Sequence, residues 1–432
     1  MMRTRSLRVA AAIGMVAMVL TACGSDKKST DTTVATADTS APAGADSTAA
    51  PAADTTAAPA ADTTVAGAAG TTVAAGAAAD TTIGAAASGD MKKVSLQLQW
   101  VTQAQFAGYF AALDQGFYKA EGLDVTIKEG GVDIVPQTEL ATGNVDYAIA
   151  WVPKALASRE QGAGITDVGQ IFQRSGTLQV SKKASNITTA ADLKGKKVGN
   201  WGFGNEFELF AGMTKAKLDP AKDVTLVQQQ FDMQALLKGE IDAAQAMRYN
   251  EYAQVLEAKN PDTGKLYTAE DLHVIDWNTE GTAMLQDAVW ANTEKLGNAA
   301  YQDQTVKFLK ASMKGWIYCR DNAAKCVDIV VAKGSKLGKG HQAWQMNEIN
   351  KLIWPATGGI GIVDKALWDQ TITVAKGTKN AEGTTVITKD PEGLAYTNDY
   401  AQKAIDALKT EKADVNGTTF APAAVTPTEG GN

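Results

Sequence analysis

The chain has 432 residues, with 41 Lys and Arg against 48 Asp and Glu, a formal net charge of −7, and only two His and three Cys. No basic stripe interrupts that acidic balance, which argues against a nucleic-acid partner. His273 and His341 stand alone, with no His-x-x-x-His or Cys-x-x-Cys spacing, so no metal site and no cofactor are expected.

Arg3, Arg5 and Arg8 precede an uncharged apolar run from Val9 to Leu20, followed by Thr21, Ala22 and Cys23. A basic start, a short apolar stretch and small residues at a cut site make an export signal over residues 1–22. As a helix the run rises about 18 Å, short of the roughly 30 Å hydrocarbon core, so it is read as removed. Leu20-Thr21-Ala22-Cys23 resembles the lipobox of bacterial lipoproteins, which implies cleavage before Cys23 and lipidation of its sulfur. From Gly24 to Asp90 the chain is almost entirely Ala, Thr, Asp, Gly, Pro and Ser, with Ala-Asp-Thr-Thr at 53–56, 61–64 and 79–82. Such a stretch buries too little apolar surface to offset chain entropy. It is expected to be a disordered tether over residues 23–90, reaching about 45 Å as a flexible coil. The expected location is the outer face of the cytoplasmic membrane, held by lipid.

From residue 91 the pattern alternates strands and helices. Val94 to Trp100 reads as a strand, with Val94, Leu96 and Leu98 on one face. Gln105 to Gln115 reads as a helix closed by Gly116, Leu123 to Ile127 as a strand closed by Gly130 and Gly131, Pro136 to Leu140 as a short helix, Asp146 to Trp151 as a strand, and Pro153 to Gln161 as a helix. Strand material follows between Gly169 and Val180. The pattern then restarts: Val198–Gly199, a helix over Glu206 to Lys217, a strand over Val224 to Gln228, a helix over Met233 to Lys238 and a strand over Ile241 to Ala246. Thr282 to Trp290 is apolar and is read as the return to the first set. Helices are expected at Tyr301–Tyr318, Val327–Lys333 and Gln342–Leu352.

Crossovers of this length between strands imply parallel sheets flanked by helices. The expected fold class is α/β, in two lobes. Lobe 1 takes residues 91–182 and about 284–410, lobe 2 residues 183–283, and 411–432 form a frayed tail. The alternative is one large doubly wound domain. Cys319 and Cys326 are the remaining pair. An exported chain favours a disulfide over a metal site, but seven positions on a straight helix span about 10 Å, beyond bridging range. A break at Asp321–Asn322 would permit the bond; two reduced core thiols is the alternative.

Ligands of open parallel sheets bind beyond the C-terminal strand ends. Three such ends carry an indole, Trp100, Trp151 and Trp201, each large, rigid and able to stack on a planar ring. After Trp201, Gly202 and Gly204 let backbone approach a ligand, and Asn205 and Glu206 open a helix whose N–H groups favour a polar ligand atom. That loop lacks the third glycine of a dinucleotide fingerprint and the Lys-Ser/Thr of a P-loop. Arg248, Tyr249, Asn250 and Glu251 follow another strand as a polar clamp, and Arg174 stands near the lobe crossing. No Gly-x-Ser-x-Gly elbow occurs and no His neighbours a nucleophile, so binding rather than catalysis is expected.

The ordered set Leu98-Gln99-Trp100, Ala107 to Ala112, Gln115 to Tyr118, Glu121 to Val125, Gly130-Gly131, Leu193 to Gly199 and Gly239 to Ala243 resembles the SsuA/THI5-like (NMT1) substrate-binding proteins of ABC importers, from about residue 93 to 320. The resemblance implies a two-lobe periplasmic-binding-protein fold of type II, closing over one solute and presenting it to a membrane permease, with no enzymatic activity and as a monomer. Its members bind sulfonates, thiamine-precursor pyrimidines or riboflavin. Gln103, Gln105, Phe106 and Tyr109, with the Trp201–Glu206 run, most resemble the riboflavin- and pyrimidine-binding branch. Fungal relatives synthesise a thiamine pyrimidine with a Cys-Cys-Cys-Phe-Cys motif that this chain lacks. The expected solute is a planar N-heterocycle. The alternatives are a sulfonate or other organic anion, and a pyrimidine synthase.

Overall fold

The computed structural model describes residues 91–202 and 204–432. The export signal, Cys23 and the tether lie outside the described residues. Ten strands follow in chain order: β1 (Lys92–Gln97), β2 (Leu123–Lys128), β3 (Tyr147–Trp151), β4 (Ile165–Gln170), β5 (Thr177–Lys182), β6 (Lys197–Asn200), β7 (Thr225–Gln228), β8 (Ala243–Met247), β9 (Leu272–Asp276) and β10 (Asp287–Asn292). They form two five-stranded sheets, ordered β2-β1-β3-β10-β4 and β7-β6-β8-β5-β9.

The two sheets repeat one plan. β1 pairs in parallel with β2 and β3, and β6 with β7 and β8. Each sheet also holds one antiparallel strand that enters it straight from a crossover: β10 between β3 and β4, and β5 between β8 and β9. Four strands of each sheet therefore run one way and one runs back. A segment arriving from the opposite lobe enters at the edge where the parallel strands end, so it has to run away from that edge. The single strand region read between Gly169 and Val180 is in fact the end of β4, a crossover, and β5.

The two crossovers lie side by side. Ile171 and Phe172 N–H donate to the Asp287 carbonyl (3.2 and 3.1 Å), and Gly176 N–H donates to Gln286 Oε1 (2.7 Å). Glu208, in the first turn of the helix Phe207–Lys215, accepts from Ser175 Oγ (2.8 Å) on one crossover and from Met284 N–H (2.6 Å) on the other. β3 is buried except at Trp151, as expected for a strand covered on both faces. In the first lobe Tyr147 stacks on Phe308 at 4.2 Å and Tyr118 on Phe308 at 5.5 Å.

Helices Lys365–Gly377 and Asp399–Thr410 and strand β9 had no counterpart in the sequence reading. Signals for them exist: Asp364 caps the first by accepting from Ala366 and Leu367 N–H. The second buries Tyr400, Ala401, Ala404, Ile405 and Leu408 along one stripe. The end of the chain, expected to fray, is held by backbone bonds: Ile360 N–H donates to Val415 O (2.9 Å) and Gly430 N–H to Glu257 O (3.1 Å).

Cys319 and Cys326 form a disulfide with Cα atoms 5.4 Å apart. The helix Ala299–Asp321 ends beside it, Asn322 leaves helical geometry (φ −135°, ψ 48°), and a second helix, Ala323–Ala332, begins. The break brings together cysteines that one straight helix would hold apart. Replacing both with serine frees a short loop in the unfolded chain and is expected to cost about 2 kcal/mol, read as a lower urea midpoint with unchanged slope; an unchanged midpoint would refute it.

Candidate functional site

The ends of β1, β3 and β6 present Trp100, Trp151 and Trp201, and the inserted strands start at the same edges. Asp287, the first residue of β10, is in register with Trp151, and Thr177, the first of β5, with Met247. The Trp100 loop is fixed by its neighbours. The Gln97 amide donates to Leu98 O (3.0 Å) and Glu129 O (2.9 Å), and Glu129 Oε2 accepts from Thr102 N–H (3.1 Å) and Oγ1 (2.5 Å). Gly130 N–H donates to Trp100 O (3.0 Å), and a Cβ at Gly130 would sit 2.4 Å from Leu98 O. That approach admits only glycine.

The Trp201 loop is held in the same manner from lobe 2. Asn200 Oδ1 accepts from Gly202 N–H (2.9 Å), and Gln245 accepts from Trp201 N–H (3.1 Å) and donates to Asn205 O (2.6 Å). Gly202 and Gly204 have φ of 69° and 81°, a conformation costly for other residues. The Asn205 amide donates to Gly202 O (2.8 Å), so it closes its own loop.

Trp100 and Trp201 meet through a residue that the sequence reading passed over. The Phe231 ring lies 4.9 Å from Trp100, tilted by 55°, and 6.0 Å from Trp201, within 23° of parallel. Phe231 follows β7, so the strand-end rule that picked out the tryptophans could have found it.

Trp151 is held by a second missed residue. Its Nε1–H donates to Asp287 Oδ1 (2.8 Å), which also accepts from Gln99 Nε2 (2.7 Å), while Asp287 Oδ2 accepts from Gln105 Nε2 (3.0 Å). Asp287 is 2% exposed. Burial pushes its carboxyl up to about 7, against the pull of these three donors. Gln103 donates to Gln105 Oε1 (2.7 Å) and accepts from Gln345 (3.3 Å). Gln103 and Gln105 thus stand within a buried amide network behind the indoles.

Lys154 Nζ sits over the Trp151 ring, 5.3 Å from its centroid. Burial pushes this amine down to about 8, with Glu206 from lobe 2 opposing the shift. Glu206 is 7% exposed, and burial raises its carboxyl while Lys154 lowers it. Glu206 Oε2 and Trp201 Nε1 have no hydrogen-bond partner among the described residues. Lobe 2 thus carries a buried acceptor and a buried donor without partners, and the acceptor's carboxyl feels the Lys154 amine of lobe 1.

Other expected contacts point elsewhere. Phe106 and Tyr109 are core residues; Tyr109 packs edge-on against Trp316 at 5.6 Å. Arg174 donates to the carbonyls of Lys351, Leu352 (both 3.4 Å) and Pro355 (3.0 Å), tying a crossover to the C-terminal helices. Arg248 pairs with Asp276, and Tyr249 packs edge-on against Phe172 at 6.3 Å. Asn250 donates to Glu251 Oε1 (2.8 Å), and Glu251 Oε2 accepts from Met247 N–H (2.9 Å). Helix Lys339–Ile353 covers this run: His341 lies 3.0 Å from Asn250 Oδ1 and 2.9 Å from Glu257 Oε1, and Trp344 Nε1 donates to Arg248 O (3.0 Å). The 248–251 run, read as an open clamp, is a joint between lobes, because a helix distant in sequence packs on it.

Among the described residues no group of His, Cys, Asp and Glu is placed to hold a metal ion, and no helix is long and apolar enough to cross a membrane.

Two sheets of one plan, joined by two crossovers with aromatic rings facing each other between them, define a two-lobe α/β protein of the periplasmic-binding-protein class. The solved structure of the periplasmic sulfonate-binding protein SsuA from Methylobacillus flagellatus KT shares this fold, with a TM-score of 0.54 at 16% identity over 78% of this chain and 98% of that one. The NMT1/THI5-like family model matches residues 103–325, just over half of the sequence, and the chain belongs to that family. Riboflavin-binding protein RibY of Chloroflexus aurantiacus is 25% identical over 292 residues, 65% of this chain and 79% of the relative. The relatives named for thiamine biosynthesis or pyrimidine synthesis are matched over half their length or less. The chain spans 49% of a Haemophilus influenzae protein named for thiamine biosynthesis, at 31% identity over 153 residues. It spans 43% of the 4-amino-5-hydroxymethyl-2-methylpyrimidine phosphate synthase of Schizosaccharomyces pombe, at 26% identity over 151 residues.

Proposed function

We propose that this protein is the extracytoplasmic solute-binding component of an ABC importer, tethered through a lipid on Cys23, which takes a planar N-heterocycle of the riboflavin or aminopyrimidine kind between its lobes and hands it unchanged to a permease. The observation that carries the reading is the stack itself: one indole from each lobe faces a single ring position. In this reading Trp100 and Trp201 grip the faces of the solute, and Glu206 and Lys154 meet its polar edge. Trp151 and Asp287 back the site. Binding without turnover is supported by relatives matched over most of their length being named as binding proteins, whereas the synthase is matched over less than half.

An organic anion such as a sulfonate is the second reading, and Lys154 is the residue that favours it. The buried Glu206 carboxyl, whose Oε2 lacks a partner, opposes it, since a second buried anion beside it would be repelled. Titrating the full chain with riboflavin and with 4-amino-5-hydroxymethyl-2-methylpyrimidine is expected to quench tryptophan emission. Trp201→Ala is expected to weaken binding by tenfold or more, roughly the worth of one well-stacked aromatic pair. Silence toward both compounds together with tight binding of an alkyl sulfonate would overturn the heterocycle reading.

A further inference from the structure

We infer that Phe231 is an internal competitor in this site: its ring holds the position between Trp100 and Trp201 that the solute's ring takes, so a solute enters only by out-stacking a phenyl group. This rests on the planar-solute reading above. Phe231 is 39% exposed although it lies between two indoles, one of them, Trp201, only 3% exposed. The contacts are those of an inserted ring, near-parallel to the lobe 2 indole and tilted against the lobe 1 indole.

The segment that carries this ring is built to move it. On one side Gln229 is fixed: its N–H donates to Asn200 O (2.9 Å), its side chain accepts from Gln245 N–H (2.8 Å) and donates to Gln245 O (2.9 Å). On the other side Asp232 Oδ1 accepts from Gln234 N–H (2.9 Å), and Met233 is buried in the lobe 2 core. Gln230 and Phe231, between these posts, make no hydrogen bond among the described residues. The pair can swing the ring out of the stack without unpairing β7 or unwinding the helix that follows.

Displacing a tethered phenyl ring costs every solute the same free energy, so it lowers all affinities by one factor and sets a threshold that stacking must clear. A fused polycyclic heterocycle offers the two indoles more aromatic area than phenyl and clears it. A single pyrimidine ring matches phenyl in area and gains little, and an alkyl chain has no face to stack.

Calorimetric titration of the full chain and its Phe231→Ala variant with riboflavin and with 4-amino-5-hydroxymethyl-2-methylpyrimidine tests this. The wild-type chain is expected to prefer riboflavin. The variant is expected to bind both compounds about tenfold more tightly than wild type, as removal of one competing aromatic contact predicts, with the ratio between them unchanged. Phe231→Leu, which keeps apolar bulk but removes the ring, is expected to tighten both in the same direction and serves if the alanine variant does not fold. Unchanged or weaker binding of both compounds in the variants would make Phe231 a fixed wall and overturn this inference while leaving the proposed function standing. A wild-type chain that binds neither compound overturns both.

Discussion

Replacing Asp287 with alanine is expected to destabilise the protein by about 3 kcal/mol and to abolish solute binding. Three donors converge on this one carboxyl: Gln99 Nε2, Gln105 Nε2 and Trp151 Nε1. Removing it strands Gln105 in a buried setting and Gln99 and Trp151 in partly buried ones, at up to about 1–3 kcal/mol each before relaxation. Part of that loss is offset, because the buried carboxyl is itself costly, as its rise to about 7 records. Binding fails in addition, since the Trp151 indole and the Gln103–Gln105 turn lose the group that orients them. Asp287→Asn should be milder. Its oxygen can still accept from Trp151 and Gln99, but its amide meets the Gln105 amide donor to donor, and Gln105 cannot turn over without releasing Gln103. Urea denaturation should therefore rank wild type above Asn above Ala. An alanine variant as stable as wild type would show that the network relaxes freely.

Thermal stability is expected to fall as pH rises from about 5 to about 8. Four buried carboxyls are pushed up by burial: Asp167 and Glu208 to about 8, Glu251 and Asp287 to about 7. For each, the folded chain keeps a proton that the unfolded chain releases near pH 4. Their contribution is fully present below the unfolded values and is lost as pH climbs through the folded ones. A three-unit shift in a single group corresponds to about 4 kcal/mol, so the decline should be plain in melting midpoints at pH 5, 6.5 and 8. Asp192, lowered to about 2 by hydrogen bonds from Thr188 and Thr189, has the opposite sign, but its stabilisation is lost only on acidification below about pH 4. Lys154, lowered to about 8, acts only above that pH. Glu208→Gln isolates one contributor. Its amide can accept from Met284 N–H and donate to Ser175 Oγ, so both crossovers stay clasped while the pH slope becomes shallower. A midpoint that rises from pH 5 to pH 8 would refute the sign.

Local features of the chain read well because they depend on neighbours a few residues away. The alternation Val94, Leu96, Leu98 marks β1, and Gly116 ends a helix. Asn322 is where the helix carrying Cys319 breaks, and the tryptophans stand at strand ends. The restart of the strand–helix pattern after Lys182 carried the two-lobe fold, which the structure shows. The site was less accessible. Trp100, Trp151, Trp201, Arg248 and Tyr249 all follow from position at strand ends, yet Arg248 and Tyr249, like Arg174 near the lobe crossing, are engaged elsewhere.

The sequence by itself determined most of the strands and helices, many of the turns between them and the family resemblance, because periodicity and glycine geometry act over one or two turns of chain. Only the tertiary structure decided that β10 runs backward beside β3, which sets Asp287 against Trp151 across 136 residues of sequence. It alone laid helix Lys339–Ile353 over Arg248 to Glu251 and placed Phe231 between indoles of different lobes. Those pairings follow from where the chain crosses between sheets, a property of the whole topology that no local run of residues encodes.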